Sequence, residues 1–219
     1  MASISIPGEV PRREWKWQAA GVCERLISAG LLGALSPVLV ASAVAVSLMS
    51  RRTPFIAHRR VGWRGEVLWM LKLRTMWGDE GSGAGERRGW VEYIDDTAGP
   101  EKKRPVDPRV PSRFARFCRR HSIDEIPQLW HVLRGEMSLV GPRPVTADEL
   151  RRYYGADAAE VLKRKPGIAG LWQVSGRNRL TYSQRRKLDL DLVRNPSFLL
   201  YLRILFRTIP EVLSGRNTC

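Results

Sequence analysis

Residues 26–50 carry no charge, and Ser36-Pro37 breaks their apolar run near the middle. About 20 apolar residues cross a bilayer as one helix, so length alone fits a span. The flanks point elsewhere. Arg12, Arg13, Lys16 and Arg25 precede the run, and Arg51, Arg52, Arg59 and Arg60 follow it. Positive charge marks the cytoplasmic side, and here both ends carry it. Pro37 removes a backbone donor and its ring clashes with the carbonyl one turn earlier. Ser36 is placed to satisfy a freed carbonyl such as that of Leu32. The pattern predicts a re-entrant helix–break–helix hairpin that enters and leaves by one face, ahead of a plain kinked span. A cleaved signal peptide fits poorly, since the run is longer than a typical signal core and no convincing small-x-small cleavage site follows it before Arg51.

Beyond the run the hydrophobic period changes. Residues 53–57 and 66–73 alternate as two strands, with Gly62 to Gly65 as the turn between them. Residues 78–108 are rich in Gly, Pro and charge and read as a surface insertion. Helical spacing predicts helices over 112–120, 126–133, 148–163 and 181–194, the last ended by Asn195-Pro196. Residues 165–174 read as a loop leading to a short strand. Residues 197–213 form an amphipathic stretch, with Phe198, Leu202, Leu205, Phe206 and Ile209 set against Arg203 and Arg207. The expected architecture is α+β and mostly helical. A basic lead-in (1–25) with Trp15 and Trp17 precedes the hairpin (26–50) and a compact domain (51–219) with an insertion at 78–106.

Composition narrows the partners. Among 219 residues, 37 Lys and Arg against 22 Asp and Glu give a net charge of +15. Such a balance implies anionic partners, and the excess of arginine over lysine suits bidentate phosphate contacts. A basic protein with a membrane segment needs no nucleic acid to explain its charge, because anionic lipid attracts each juxtamembrane cation by about 1 kcal/mol. The three cysteines, Cys23, Cys118 and Cys219, show no metal or disulfide spacing, which suits a reduced, cytosolic domain.

The densest chemistry lies at 119–129. Ser122 and Glu125 match a capping box at a helix start, and Asp124 would then only favour the helix N-terminus. Yet Asp124 and Glu125 also sit beside Arg119, Arg120 and His121. A carboxylate in such company holds a hard divalent cation or attacks phosphorus. Pro142 and Pro144 stiffen the loop that presents Arg143. Lys72 and Arg74 fall on one side of a strand by alternation. Gln173 and Arg177 follow a Gly-rich loop. Each of these also reads as an ordinary surface feature.

The ordered set is more specific. Ser36-Pro37 is followed by Lys-Leu-Arg-Thr-Met (72–76), Asp-Pro-Arg-Val (107–110) and Asp-Glu-Ile-Pro-Gln-Leu (124–129). Then come Met-Ser-Leu-Val-Gly-Pro-Arg-Pro (137–144) and Lys-Pro-Gly-Ile-Ala-Gly-Leu-Trp-Gln-Val-Ser-Gly-Arg (165–177). Over about residues 26–208 the chain resembles the bacterial sugar transferases, in their small monotopic phosphoglycosyl transferase form. The resemblance implies transfer of a sugar 1-phosphate from a UDP-sugar to a polyprenyl phosphate, usually undecaprenyl phosphate, with release of UMP. It implies Asp124 as nucleophile, Glu125 as its partner, and Mg²⁺ held by both. Arg143, Arg119, Lys72 and Arg74 would line the phosphate site, with Gln173 and Arg177 as further substrate contacts. The implied place is the cytoplasmic face of a bacterial inner membrane, in surface-glycan assembly, with a homodimer possible in principle. The chain departs from the family pattern at His58-Arg59-Arg60-Val61-Gly62, where Gln-x-Arg-x-Gly is usual, and at Tyr201, where an acidic residue is common. Direct attack in a ternary complex, or a non-catalytic basic membrane module, are the competing readings.

Overall fold

A computed structural model describes residues 14–77, 85–95, 109–110, 112–176 and 179–214, with only the backbone of 14–19 and of Leu213. The lead-in side chains Arg12, Arg13, Trp15, Lys16 and Trp17, and also Arg177, lie outside these described residues. The chain opens with one helix, α1 (Glu14–Ser50), and Pro37 lies inside it. The expected break is therefore absent as a loss of helix. Its physical reason is local. The ring of Pro37 leaves the Gly33 carbonyl without its usual donor, and Ser36 Oγ donates to that oxygen at 2.8 Å. The sequence argument chose the right device and the wrong acceptor, one residue off. Ala20–Ser50 is long and apolar enough to cross a membrane by length and composition.

The two expected strands form a hairpin, with β1 (Phe55–Val61) antiparallel to β2 (Val67–Leu73) and Phe55 opposite Leu73. Its turn passes through positive φ at Arg64 (56°) and Gly65 (85°). The insertion is not only a loop. It contributes β3 (Glu86–Arg88) and β4 (Val91–Ile94), which complete a sheet of order β2-β1-β4-β3 with β4 parallel to β1. Three- and four-residue strands between glycines carry too little periodicity to be read from sequence.

The remaining helices build the body around that sheet. The helix α2 (Arg113–Arg120) starts at Ser112, whose Oγ accepts from Ala115 N at 2.9 Å. A 3₁₀ turn (Ile123–Gln128) leads into α3 (Leu129–Arg134), closed by Gly135 at positive φ. The helix expected over 148–163 is broken. A true capping box at Thr146 and Glu149 opens α4 (Ala147–Glu149), which runs into a π turn (Leu150–Tyr154), and α5 (Ala158–Val161) follows Gly155. Gly155 holds a φ of 50°, a conformation that ends regular helix. The helix expected over 181–194 appears as α7 (Tyr182–Arg194), capped by Thr181, and the amphipathic stretch becomes α8 (Phe198–Ser214).

Two short parallel strands, β5 (Ser138–Val140) and β6 (Gly167–Ala169), bracket residues 141–166. Gly141 and Gly167 touch backbone to backbone, so a Cβ on either would collide with the other's main chain. The segment expected to lead into a strand instead follows β6 as the short helix α6 (Leu171–Ser175). Four apolar clusters result. One joins Leu32 and Leu35 of α1 to Leu68, Met70, Leu129 and Val132. A second joins Ala43 and Val46 of α1 to Leu73 and Cys118. The third lies between Val145, Leu150, Tyr154 and α7, and the fourth seats Ile204 of α8 on Val140 and Ala169.

Candidate active site

Asp124 is buried, 9% exposed, in the first turn of the 3₁₀ segment. The residue before that segment, Ser122, is left-handed (φ 54°, ψ 24°) and makes no side-chain cap, so the Ser122/Glu125 capping box does not form. Instead Glu125 N–H donates to the Ser122 carbonyl at 3.0 Å. Strain at a non-glycine left-handed residue costs of order 1–3 kcal/mol and clusters at functional sites. Here it turns the chain sharply between α2 and the acidic pair.

A cation from β2 meets the pair. Lys72 of β2 lies with its Nζ 3.6 Å from Glu125 Oε1. Arg119, in the last turn of α2, is half-buried and its guanidinium has no acidic partner among the described residues. Beneath the pair, Cys118 is fully buried against Ser42 of α1, and its thiol pKa is pushed up to about 11 by burial first and by the Asp124 charge second. The Asp124 carboxylate therefore sits where the domain packs on the apolar helix. His131, which sequence reasoning passed over, fixes this region from α3. Its Nε2 accepts from Leu71 N–H at 3.0 Å, which leaves the proton on Nδ1, 2.6 Å from Glu136 Oε2. That tautomer locks β2 next to Lys72.

Arg74 behaves differently from the expectation. It falls just past the end of β2 and is 1% exposed. Its Nε donates to the Thr53 carbonyl at 2.7 Å, and its Nη2 donates to Thr53 Oγ1 at 3.0 Å and to Glu92 Oε2 at 2.6 Å. Burial lowers its pKa, and the Glu92 carboxylate opposes that shift. This arginine ties the sheet to β4 through its Nε and Nη2 donors.

Arg143 stands in a second group. The bridge between Val61 and Val145, with Val61 N–H donating to Val145 O at 2.8 Å, ties the Pro-Arg-Pro loop to the end of β1. Arg143 N–H donates to Asp189 Oδ1 at 3.4 Å, while its guanidinium lies 5.3 Å from the centre of the Trp172 ring. Asp189 is fully buried, and Tyr154 Oη donates to its Oδ2 at 2.7 Å. Burial raises the Asp189 pKa to about 7, opposed by those two hydrogen bonds and by the charges of Arg143 and Arg185. No hydrogen bond or ion pair links Arg143 to the Asp124 group. Gln173 donates through Nε2 to the Ile168 carbonyl at 3.2 Å, so it braces β6.

The chain matches the family model of the bacterial sugar transferases over residues 15–215 and belongs to that family. It is 39% identical over 198 residues to the exopolysaccharide production protein ExoY of Sinorhizobium fredii, covering 88% of this chain and 84% of that one. It is 37% identical over 202 residues to the UDP-glucose:undecaprenyl-phosphate glucose-1-phosphate transferase of Caulobacter vibrioides, covering 88% of this chain and 69% of that one. It is 40% identical over 156 residues to the undecaprenyl-phosphate galactose phosphotransferase of Salmonella typhimurium, covering 71% of this chain but only 32% of that longer protein.

Proposed function

We propose that the chain transfers a sugar 1-phosphate from a UDP-sugar to undecaprenyl phosphate, through a phospho-sugar carried on Asp124. The observation that carries this reading is the position of Asp124. It lies buried beside Lys72 and Glu125, over the contact between Cys118 and the apolar helix α1. The names of the similar proteins support it, and they divide between glucose and galactose. The sugar is therefore left as a class.

In the first step a carboxylate oxygen of Asp124 attacks the β-phosphorus of the UDP-sugar. The bond from that phosphorus to the bridging oxygen breaks, and UMP leaves with the electron pair. An oxygen of the lipid phosphate then attacks the same phosphorus and releases the Asp124 carboxylate, giving a polyprenyl diphosphate sugar. Phosphoryl transfer is catalysed mainly by positioning and by neutralising oxygen charge; Lys72 and Arg119 supply cations for this. Among the described residues no third His, Cys, Asp or Glu joins the acidic pair. Two carboxylates fit Mg²⁺, which commonly takes one or two of them and fills its other positions with water and substrate phosphate. Asp124 and Glu125 would hold it, where it would neutralise phosphate charge.

The same reading places residues 26–50 as an anchor in one leaflet and 51–219 as the transferase domain at the cytoplasmic surface of a bacterial inner membrane. Its support is the docking of α1. Glu24 accepts from Ser138 Oγ at 2.5 Å and Tyr201 Oη at 2.6 Å, and Val46 packs on Cys118 and Leu73. These contacts lie on both sides of Pro37, and 22 residues of helix would span roughly 33 Å if straight. Crossing the bilayer over that length would carry the docked domain into hydrocarbon, where unpaired backbone groups are costly. On α8, Phe198, Leu199, Phe206 and Ile209 are exposed alongside Arg203 and Arg207, a surface suited to the lipid interface.

The test is incubation with radiolabelled UDP-sugar and no lipid acceptor. Expected are labelled protein and stoichiometric UMP, both lost in Asp124→Asn. UMP release only after polyprenyl phosphate is added would select direct attack in a ternary complex. For the anchor, cysteines introduced at residues 10 and 55 should both react from the cytoplasmic side; labelling from opposite sides would establish a span.

A further inference from the structure

Arg185, on α7, lies outside every motif discussed above, yet it faces the same ring as Arg143. Its guanidinium is 5.0 Å from the Trp172 centroid and 5.3 Å from that of Tyr182, against 5.3 Å for Arg143 over Trp172. Three donors of this group are buried without a hydrogen-bond partner: Arg143 Nε, Arg185 Nε and Trp172 Nε1. The nearby acids do not answer them. Both oxygens of Asp189 are engaged by Tyr154 Oη and Arg143 N–H. Both oxygens of Glu149 are engaged, by Thr146 N–H at 2.9 Å and Tyr182 Oη at 3.5 Å. Burial lowers the Arg185 pKa and the Arg143 charge lowers it further, against smaller opposing effects of Tyr182, Glu149 and Asp189, which act through space without a hydrogen bond to its Nε. Two guanidinium groups sharing one ring, with their carboxylates spent elsewhere, are costly unless an anion completes them.

We propose that Arg185 and Trp172, with Arg143, form a receptor for a phosphate monoester dianion. The guanidinium groups and the indole N–H supply unpartnered donors around one ring, and the fork of each arginine matches phosphate oxygens. The ring of Trp172 holds both cations by cation–π attraction. The assignment rests on the phosphoglycosyl-transfer reading for the identity of the ligand, because that reaction handles two monoesters, the released UMP and the polyprenyl phosphate.

The experiment uses the full chain in lipid nanodiscs. Inhibition by UMP and by uridine, and the KM for undecaprenyl phosphate, are measured for wild type, Arg185→Gln, Arg185→Lys and Trp172→Phe. Thermal midpoints of the same preparations are recorded. Arg185→Gln should weaken one monoester about tenfold or more, by loss of a charged phosphate contact, with the midpoint little moved. Inhibition by uridine should not change. Arg185→Lys should recover part of the loss, and Trp172→Phe should lose less than Arg185→Gln. A raised UMP inhibition constant assigns the site to the leaving nucleotide, and a raised lipid KM assigns it to the acceptor. Unchanged values for both, in a folded and active Arg185→Gln, would overturn the receptor while leaving the transfer reaction intact. If wild type turns over no sugar nucleotide, direct titration with UMP decides the receptor alone. Binding weakened in Arg185→Gln sustains it, and equal or absent binding in both proteins overturns it.

Discussion

Arg74 and Arg143 make the same promise in sequence, each a cation beside a stiff or strand-borne motif, and the fold uses them in opposite ways. In the four-stranded sheet, Arg74 is wholly buried, and Thr53 and Glu92 take its donors. Around Trp172, Arg143 and Arg185 face one ring and keep buried donors unmatched. The difference lies in where the acids are spent. Glu92 arrives on β4 to meet Arg74, whereas Asp189 and Glu149 bind tyrosine hydroxyls and backbone amides. Charge completed inside the chain holds the fold, and charge left incomplete is available to a substrate.

That contrast can be broken by substitution. Asp124→Asn should reduce turnover at least about 10³-fold, since losing a nucleophile removes the covalent route, while circular dichroism stays native. Activity within a few-fold of wild type would move the chemistry elsewhere. Arg74→Met should do the reverse, since it strands Glu92 and destabilises by about 3–5 kcal/mol, as for other broken buried pairs. Denaturant midpoints would show the loss; a native midpoint with lost activity would return Arg74 to the phosphate site. Lys72→Gln should cut kcat/KM about tenfold or more, the scale of one charged contact to phosphate. It should change stability by under about 1 kcal/mol, because the Lys72–Glu125 pair is partly exposed.

The remaining effect, on pH dependence, concerns Asp189. Its carboxyl titrates near 7 in the folded chain because it is buried, against about 3.9 when unfolded. Between those values the native state holds the extra proton, so this group's stabilising contribution is complete at low pH. It is lost as pH rises to about 7 and is constant above. The thermal midpoint of wild type should therefore fall relative to Asp189→Asn between about pH 4.5 and 7.5. A constant difference would show that Asp189 does not titrate there.

Much of this was legible from residue patterns, and the failures have local causes. The β1–β2 hairpin, α2, α7 and α8 were readable because each has its own period and a terminator. The adjacent acids Asp124 and Glu125 were legible as a pair, and the fold buries Asp124 in the turn between α2 and α3. The strands β3 and β4 were hidden among glycines, and with them the Glu92 partner of Arg74. The helix expected over 148–163 failed because Gly155 permits a backbone turn that its periodic neighbours conceal. Arg185 was missed because Gln184-Arg185-Arg186-Lys187 looks like a solvated helix face; only the packing of α6 against α7 brings Trp172 to it. At Pro37 the proline was read correctly as a lost donor, but the serine beside it repairs the helix instead of ending it.

The Glu24 carboxylate also imposes an order in time. It emerges from the ribosome early, while its partner hydroxyl on Tyr201 lies 177 residues further along. At ordinary elongation rates the wait is about 10–35 s. Until Ser138 follows, 114 residues on, the carboxylate has neither partner and must remain near water. Seating of the helix is then a late event, completed only when the end of the chain returns to its beginning.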